Sequence, residues 1–243
     1  MSETGDTALS RQNQAGAGII AVRINIVRLG TVEYGRALEI QRRLLERRIA
    51  GEIDNTLLLL EHPPVLTLGT RGDPANVYLT AEELESRGVK VFRVERGGDV
   101  TYHGPGQLVG YPIVDLRSLG SDIRKFIRNI GQTFVDLLGE KYGIAAEYRT
   151  DKYAGVWVGD EKITAVGIAI RRWVTMHGFA FNVNTNLEHF GWINPCGLSA
   201  GVTSLKNLTG REQDMEAVRD MVACYFAAAV GCEPVNAALD DLI

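Results

Sequence analysis

Two long strand-like runs stand back to back in this chain, Lys162 to Arg172 and Val174 to Val183, with only Trp173 between them. So short a break leaves an antiparallel hairpin as the way for both runs to bury their apolar residues. Just upstream, Gly159-Asp160-Glu161 has the composition of another hairpin turn and puts Lys162 at the start of a strand. Further strand patterns lie at Ile20 to Val27, Thr56 to Leu60, Val89 to Val94, Gln107 to Val114 and Ala154 to Val158.

Between these runs the period changes from two to three-four. Tyr34, Ala37, Leu38, Gln41, Leu44 and Leu45 define a first helix that Gly51 stops, and Thr80 with Glu83 forms a capping-box pattern for a second that ends near Gly88. A third carries Ile123, Phe126, Ile127, Ile130, Phe134, Leu137 and Leu138 on one face, with Ser121 as its expected N-cap and Gly143 as its end. A fourth, Asp214 to Val230, carries Val218, Met221, Val222, Tyr225 and Phe226 and stops at Gly231. Strands joined by short turns, with helices interspersed, predict an α/β (α+β) fold: a mixed β-sheet packed by helices.

A chain of 243 residues with 45% hydrophobic content can bury one large core. Residues 19–243 are expected to form a single domain behind a mobile tail, 1–18, which is polar and Gly/Ala-rich and lacks the pattern of a signal peptide. Three cysteines with no close pair give neither a disulfide framework nor a zinc signature, which fits a reducing cytoplasm. The apolar run Thr56 to Leu60 ends at Glu61 and Pro63, no apolar run in the sequence approaches the roughly 20 residues of a membrane span, and a net charge of −4 gives no reason to expect nucleic acid.

The chemistry concentrates in two segments. Cys196 lies in Ile193-Asn194-Pro195-Cys196-Gly197, a turn-like stretch in which a thiol is accessible to a substrate. Arg96, Gly97, Gly98, Asp99, Val100, Thr101, Tyr102 and His103 belong to a loop dense in small and polar residues, able to bring backbone N–H groups close to a ligand. It lacks the phosphate-loop pattern. Cys224, inside the fourth helix, is expected to be a small buried hydrophobe. His177 alternates with Thr175 and Phe179, which predicts a histidine that is packed or supports the site from behind and is not a base, and His62 and His189 show no metal-ligand spacing. Arg42, Arg43, Arg47 and Arg48 on the first helix, and Arg171-Arg172 at a strand end, are two basic clusters, each either a solvated face or a docking patch.

The loop, Lys162 and Cys196, in this order and spacing from about Val27 to Leu208, resemble the octanoyltransferases of protein lipoylation. The resemblance implies the fold of the biotin- and lipoate-protein ligase catalytic domain. It also implies an acyltransferase that moves an octanoyl or lipoyl group from octanoyl-acyl carrier protein to a lysine of lipoyl domains, those of 2-oxoacid dehydrogenase E2 subunits and of the glycine cleavage H protein. Cys196 then carries the acyl-thioester and Lys162 lowers its pKa, with no cofactor and no metal. Substrate contacts carry over to Arg96 through His103, to Ala165, Val166 and Gly167, and to Gly178, Phe179 and Ala180. Gly and Ala would leave room for the acyl tail and Phe179 would wall it. His103 would either orient the thioester or brace the loop. The protein is expected to act as a monomer.

Elementary acid–base chemistry fits that pairing. Reference pKa values of ~8.5 for Cys and ~10.4 for Lys mean that, with one proton removed from the pair, water favours thiolate plus ammonium by roughly 2.6 kcal/mol. Desolvation pushes the other way, so the two form a coupled dyad. Two rivals stand beside this reading: an ATP-dependent lipoate or biotin ligase, which needs no cysteine nucleophile, and a non-catalytic domain that binds a carrier protein or acyl chain.

Overall fold

Residues 22–150, 154–194 and 201–243 are described in the computed structural model. Strand β1 (Arg23–Thr31) leads into helix α1 (Tyr34–Ala50), which buries the expected stripe of Tyr34, Ala37, Leu38, Gln41, Leu44 and Leu45. Next come β2 (Asn55–Glu61), β3 (Val65–Leu68) and the short α2 (Ala81–Ser86), where Thr80 and Glu83 form both halves of the capping box. Then follow β4 (Lys90–Arg93), β5 (Val100–His103), β6 (Gln107–Ile113) and α3 (Ile123–Tyr142). After β7 (Glu147–Arg149) and β8 (Gly155–Val158), β9 (Glu161–Arg171) and β10 (Val174–Asn182) form the long hairpin. The described chain ends with β11 (Gly201–Val202), α4 (Leu205–Thr209), α5 (Met215–Val230) and β12 (Glu233–Asn236).

The larger sheet has the order β12-β1-β2-β6-β10-β9-β8-β7, with β11 added to β9. It is mixed: β1 is parallel to β2 and β12, while β2, β6, β10, β9, β8 and β7 pair antiparallel in turn. The hairpin closes with Arg171 opposite Val174, and its turn residues Arg172 and Trp173 take φ of 50° and 70°. Two left-handed residues follow the twist of the flanking strands. A smaller sheet, β4-β3-β5, stands beside the large one.

Each face of the large sheet is covered. Leu57, Leu59, Leu108, Phe179 and Phe181 meet Phe126, Phe134 and Leu137 of α3 and Val222 and Phe226 of α5. On the other face Leu58, Leu60, Val109, Tyr111, Met176 and Ala180 meet Tyr34, Leu38 and Leu44 of α1. Period-two alternation along β2, β6 and β10 is thus divided between two cores.

Several expectations need correction. β5 lies inside the stretch taken as a continuous loop, and β3, β7, β11, β12 and α4 had no counterpart in the sequence pattern, being two to five residues long. The cap of α3 is Asp122, whose carboxylate accepts the Lys125 N–H at 2.9 Å; Ser121 precedes it at φ 58°. Cys224 is exposed on the outer side of α5, whereas Cys232 is the buried thiol, its pKa pushed up to about 11 by desolvation. Cys196, the start of the expected strand at Ile20 and the tail 1–18 lie outside the described residues. Among the described residues no helix is long and apolar enough to cross a membrane.

Candidate active site

Between β4 and β5 the chain crosses the open edge of β9, where Gly97 donates its N–H to the Ile168 carbonyl at 3.1 Å. The loop is held from behind by its own carbonyls: those of Arg96, Gly98 and Asp99 accept N–H groups of Thr70, Arg71 and Gly69 at 3.0, 3.1 and 3.0 Å. Arg96 is largely buried, and its guanidinium donates to the Thr67 hydroxyl and carbonyl and to the Gly97 carbonyl. The Asp99 carboxylate accepts from Val100 N–H at 2.7 Å and from the Asn76 amide at 2.6 Å. Most of this loop's polar groups therefore fix the loop itself.

Lys162 owes its direction to an irregularity in β9. Val156 pairs with Thr164, but Trp157 pairs with Lys162, so Ile163 is an extra residue on the β9 side. Such a bulge shifts the alternation by one and re-aims the next side chain. Ile163 enters the core beneath α3 and α5, and Lys162 joins Ala165 and Gly167 on the wall of a cavity. Its ammonium donates to the Ala154 carbonyl at 3.4 Å and lies 5.0 Å from the centre of the Trp157 ring. β11 pairs Val202 with Lys162, and Thr203 N–H donates to the Lys162 carbonyl.

The cavity, about 280 Å³, lies between the β9–β10 hairpin and the small sheet. Of the residues expected to touch substrate, Arg96 to Thr101, His103, Lys162, Ala165 to Gly167 and Gly178 to Ala180 line it. Tyr102 does not: it points into the core of the small sheet and bonds His189 Nδ1 at 2.7 Å. The two strand glycines have a different reason from the expected one. A Cβ on Gly178 would stand 2.1 Å from the Gly110 carbonyl oxygen, and one on Gly167 2.9 Å from the Gly97 carbonyl oxygen. Close backbone approach requires them. Phe179 borders the cavity, but its ring packs against Phe134 and Phe226, with centroids 4.9 and 6.2 Å away.

Sequence reasoning missed a polar cluster on the α1 side, contributed by Tyr34, His62, Gln107, Tyr111, His177 and Asn182. His62 Nδ1 donates to the Val32 carbonyl at 2.6 Å, so its Nε2 accepts from the Tyr111 hydroxyl at 2.7 Å. His103 Nδ1 donates to Gln107 Oε1 at 2.8 Å; Gln107 Nε2 donates to Asn182 Oδ1, and Asn182 Nδ2 to the Thr203 carbonyl. That chain leaves His103 Nε2 as the acceptor. Burial, reinforced by the neighbouring His62, holds His103 down to about 3, and burial pulls His62 and His177 each down to about 4. All three imidazoles are neutral near pH 7. No single period could have found the cluster, because its members come from α1, the residue after β2, β6 and β10.

His177 departs from the expected alternation. It has φ 54° in the middle of β10, and its ring turns to the α1 side, 6.5 Å from the Tyr111 ring, while Phe179 stays on the other face. Gln41 Oε1 accepts its N–H at 2.9 Å.

A helix-packed mixed sheet thus carries a cavity of about 280 Å³ with a lysine on its wall, an arrangement suited to a catalytic domain. The profile of the lipoyl protein ligase A/B catalytic domain matches residues 33–227. An octanoyltransferase of Caldicellulosiruptor saccharolyticus is 55% identical over 214 residues, 87% of this chain and 91% of that relative. The chain belongs to this family, among its octanoyltransferases, and is an acyltransferase. A solved structure of a putative lipoate protein ligase from T. acidophilum aligns with TM-score 0.71 at 16% identity, over 90% of this chain and 92% of that one. Biotin protein ligase from Aquifex aeolicus aligns with TM-score 0.52 at 16% identity, over 85% and 70%. These two likenesses show the expected fold.

Proposed function

We propose that the protein takes an octanoyl group from octanoyl-acyl carrier protein onto Cys196 and passes it to a lysine of lipoyl domains, acting as a cytoplasmic monomer. The observation that carries this reading is the pairing of β11 with β9: Val202, paired with Lys162, is six residues beyond Cys196. Chain connectivity alone, at ~3.5 Å per residue, limits Cys196 to roughly 21 Å from Val202 and so to roughly 26 Å from Lys162. In the first half-reaction the Cys196 thiolate attacks the donor carbonyl, the C–S bond to the carrier breaks, and the departing carrier thiolate takes the proton of the Lys162 ammonium, which leaves that amine neutral. Lys162 as ammonium stabilises the attacking thiolate. In the second, the lipoyl-domain amine attacks the Cys196 thioester, the thiolate leaves, and Lys162, as neutral amine, accepts the proton shed by the attacking nitrogen.

His103 has a supporting part in this scheme. With a pKa held near 3 it stays neutral and is a weak base near pH 7, so bracing the turn into β6 and accepting a hydrogen bond suit it better than proton abstraction. The test against the ligase reading is transfer without nucleotide. Octanoyl-acyl carrier protein and a lipoyl domain alone should yield octanoylated domain over many turnovers. Transfer that occurs only from free octanoate with ATP would support the ligase instead.

A further inference from the structure

The wall of the cavity opposite Lys162 ends on a residue that no step above uses. His177 is 1% exposed, and neither ring nitrogen has a hydrogen-bond partner among the described residues. A charged neighbour, Glu95 Oε2, lies 3.6 Å from Nε2, within ion-pair range but long for a hydrogen bond. A left-handed conformation is uncommon for a residue with a Cβ, and here it falls mid-strand, where regular backbone would have turned the ring to the other face. Gln41 on α1 fixes that conformation through the His177 N–H. Backbone strain and a buried imidazole without a close hydrogen bond thus coincide at one cavity-lining residue, and strain of this kind clusters at ligand clamps.

Its place along the strand gives it a length scale. Asn182 pairs with Gln107 and shares the cavity with Lys162, while Gly178 lies four residues back along β10. Four residues of strand span roughly 13 Å. An all-staggered eight-carbon acyl chain is about 9 Å long, so one whose carbonyl lies within a few ångströms of the Lys162 end terminates at the level of Gly178, just short of His177.

We propose that His177 is the polar floor of the acyl cavity and sets the longest chain the enzyme accepts. A tenth or twelfth carbon would have to press methylenes onto the imidazole and strip it of its polar contact with Glu95, 3.6 Å from Nε2, which disfavours longer chains by about tenfold or more. An eight-carbon chain stops short of that contact. The inference rests on the acyl-transfer reading of the site.

The test compares wild type, His177→Gly and His177→Asn with C6, C8, C10 and C12 acyl-carrier donors, reading kcat/KM for transfer and, separately, the affinity of the matching acyl-pantetheines by calorimetry. Glycine tolerates the left-handed backbone and removes the floor; asparagine tolerates it and keeps a polar group there. His177→Gly should raise the C12-to-C8 ratio about tenfold or more in both readouts, and His177→Asn should keep the wild-type cut-off. An unchanged ratio in His177→Gly, or equal loss at every chain length, overturns the proposal. If calorimetry shows the shifted cut-off while wild type transfers nothing from any donor, the transfer reading falls and the floor stands. If wild type neither transfers nor binds these acyl groups, both fall.

Discussion

Gly178 shows at the scale of one residue how a cavity-lining position can have another reason than the expected one. A strand glycine beside an expected acyl site suggests space for a tail, yet its missing Cβ makes room for the Gly110 carbonyl of the neighbouring strand. Gly178→Ala should therefore destabilise the fold by about 3 kcal/mol, at the upper end of overpacking costs, because a backbone atom cannot swing aside. Urea unfolding checks this, and a midpoint within error of wild type would restore the acyl-space explanation. Lys162 and most of the loop from Arg96 were legible because their chemistry is local to the sequence. Tyr102 was misplaced because β5 alternates: a strand hidden in a glycine-rich stretch sends every second side chain to the small-sheet core.

At the scale of elements, long amphipathic segments were legible and short ones were not. α1, α3 and α5 show three-four periods over 16 to 20 residues, whereas β3, β7, β11 and α4 are too short to display any period. The bulge at Ile163 was hidden for another reason: register belongs to the pairing of β8 with β9, and one strand's sequence does not contain it. The packing of α1 against β2, β6 and β10 also has a pH signature. His62 titrates near 6.5 when unfolded and about 4 when folded, so between these values the unfolded chain binds a proton that the folded one refuses. Its contribution is complete above pH 6.5 and is lost as pH falls toward 4, a change of about 3 kcal/mol at ~1.4 kcal/mol per unit. Stability from urea unfolding should drop between about pH 7 and about pH 5, and His62→Gln should flatten that slope. A slope untouched by the substitution would mean that His62 is not held neutral by the fold.

For the whole molecule, the arrangement of charge replaces the count of arginines. Arg42 pairs with Glu95 at 3.5 Å, Arg47 with Glu52 at 3.0 Å, Arg48 with Asp115 at 3.9 Å, and Arg171 with Glu46. The Arg171-Arg172 pair also sits at the opposite end of β9 from Lys162, roughly 30 Å away at ~3.3 Å per residue. Arg71, exposed on the cavity rim, is better placed to meet an acidic carrier protein. Arg71→Glu should lower the second-order rate with octanoyl-carrier protein several-fold and reduce its salt dependence, with little effect on a small octanoyl thioester. Reversal of Arg171 and Arg172 should leave both rates within about twofold of wild type, since surface pairs contribute little. The opposite pattern in stopped-flow kinetics would return the docking face to the hairpin end.

The central claim is that Cys196 holds the acyl group between donor and acceptor, and intact-protein mass spectrometry tests it most directly. Wild type and Cys196→Ala are each incubated with octanoyl-carrier protein and no acceptor. Wild type should gain a single octanoyl adduct, mapped by peptide analysis to Cys196 and discharged when a lipoyl domain is added, and Cys196→Ala should gain none. An equal adduct on Cys196→Ala, or undiminished transfer by that variant, would contradict it.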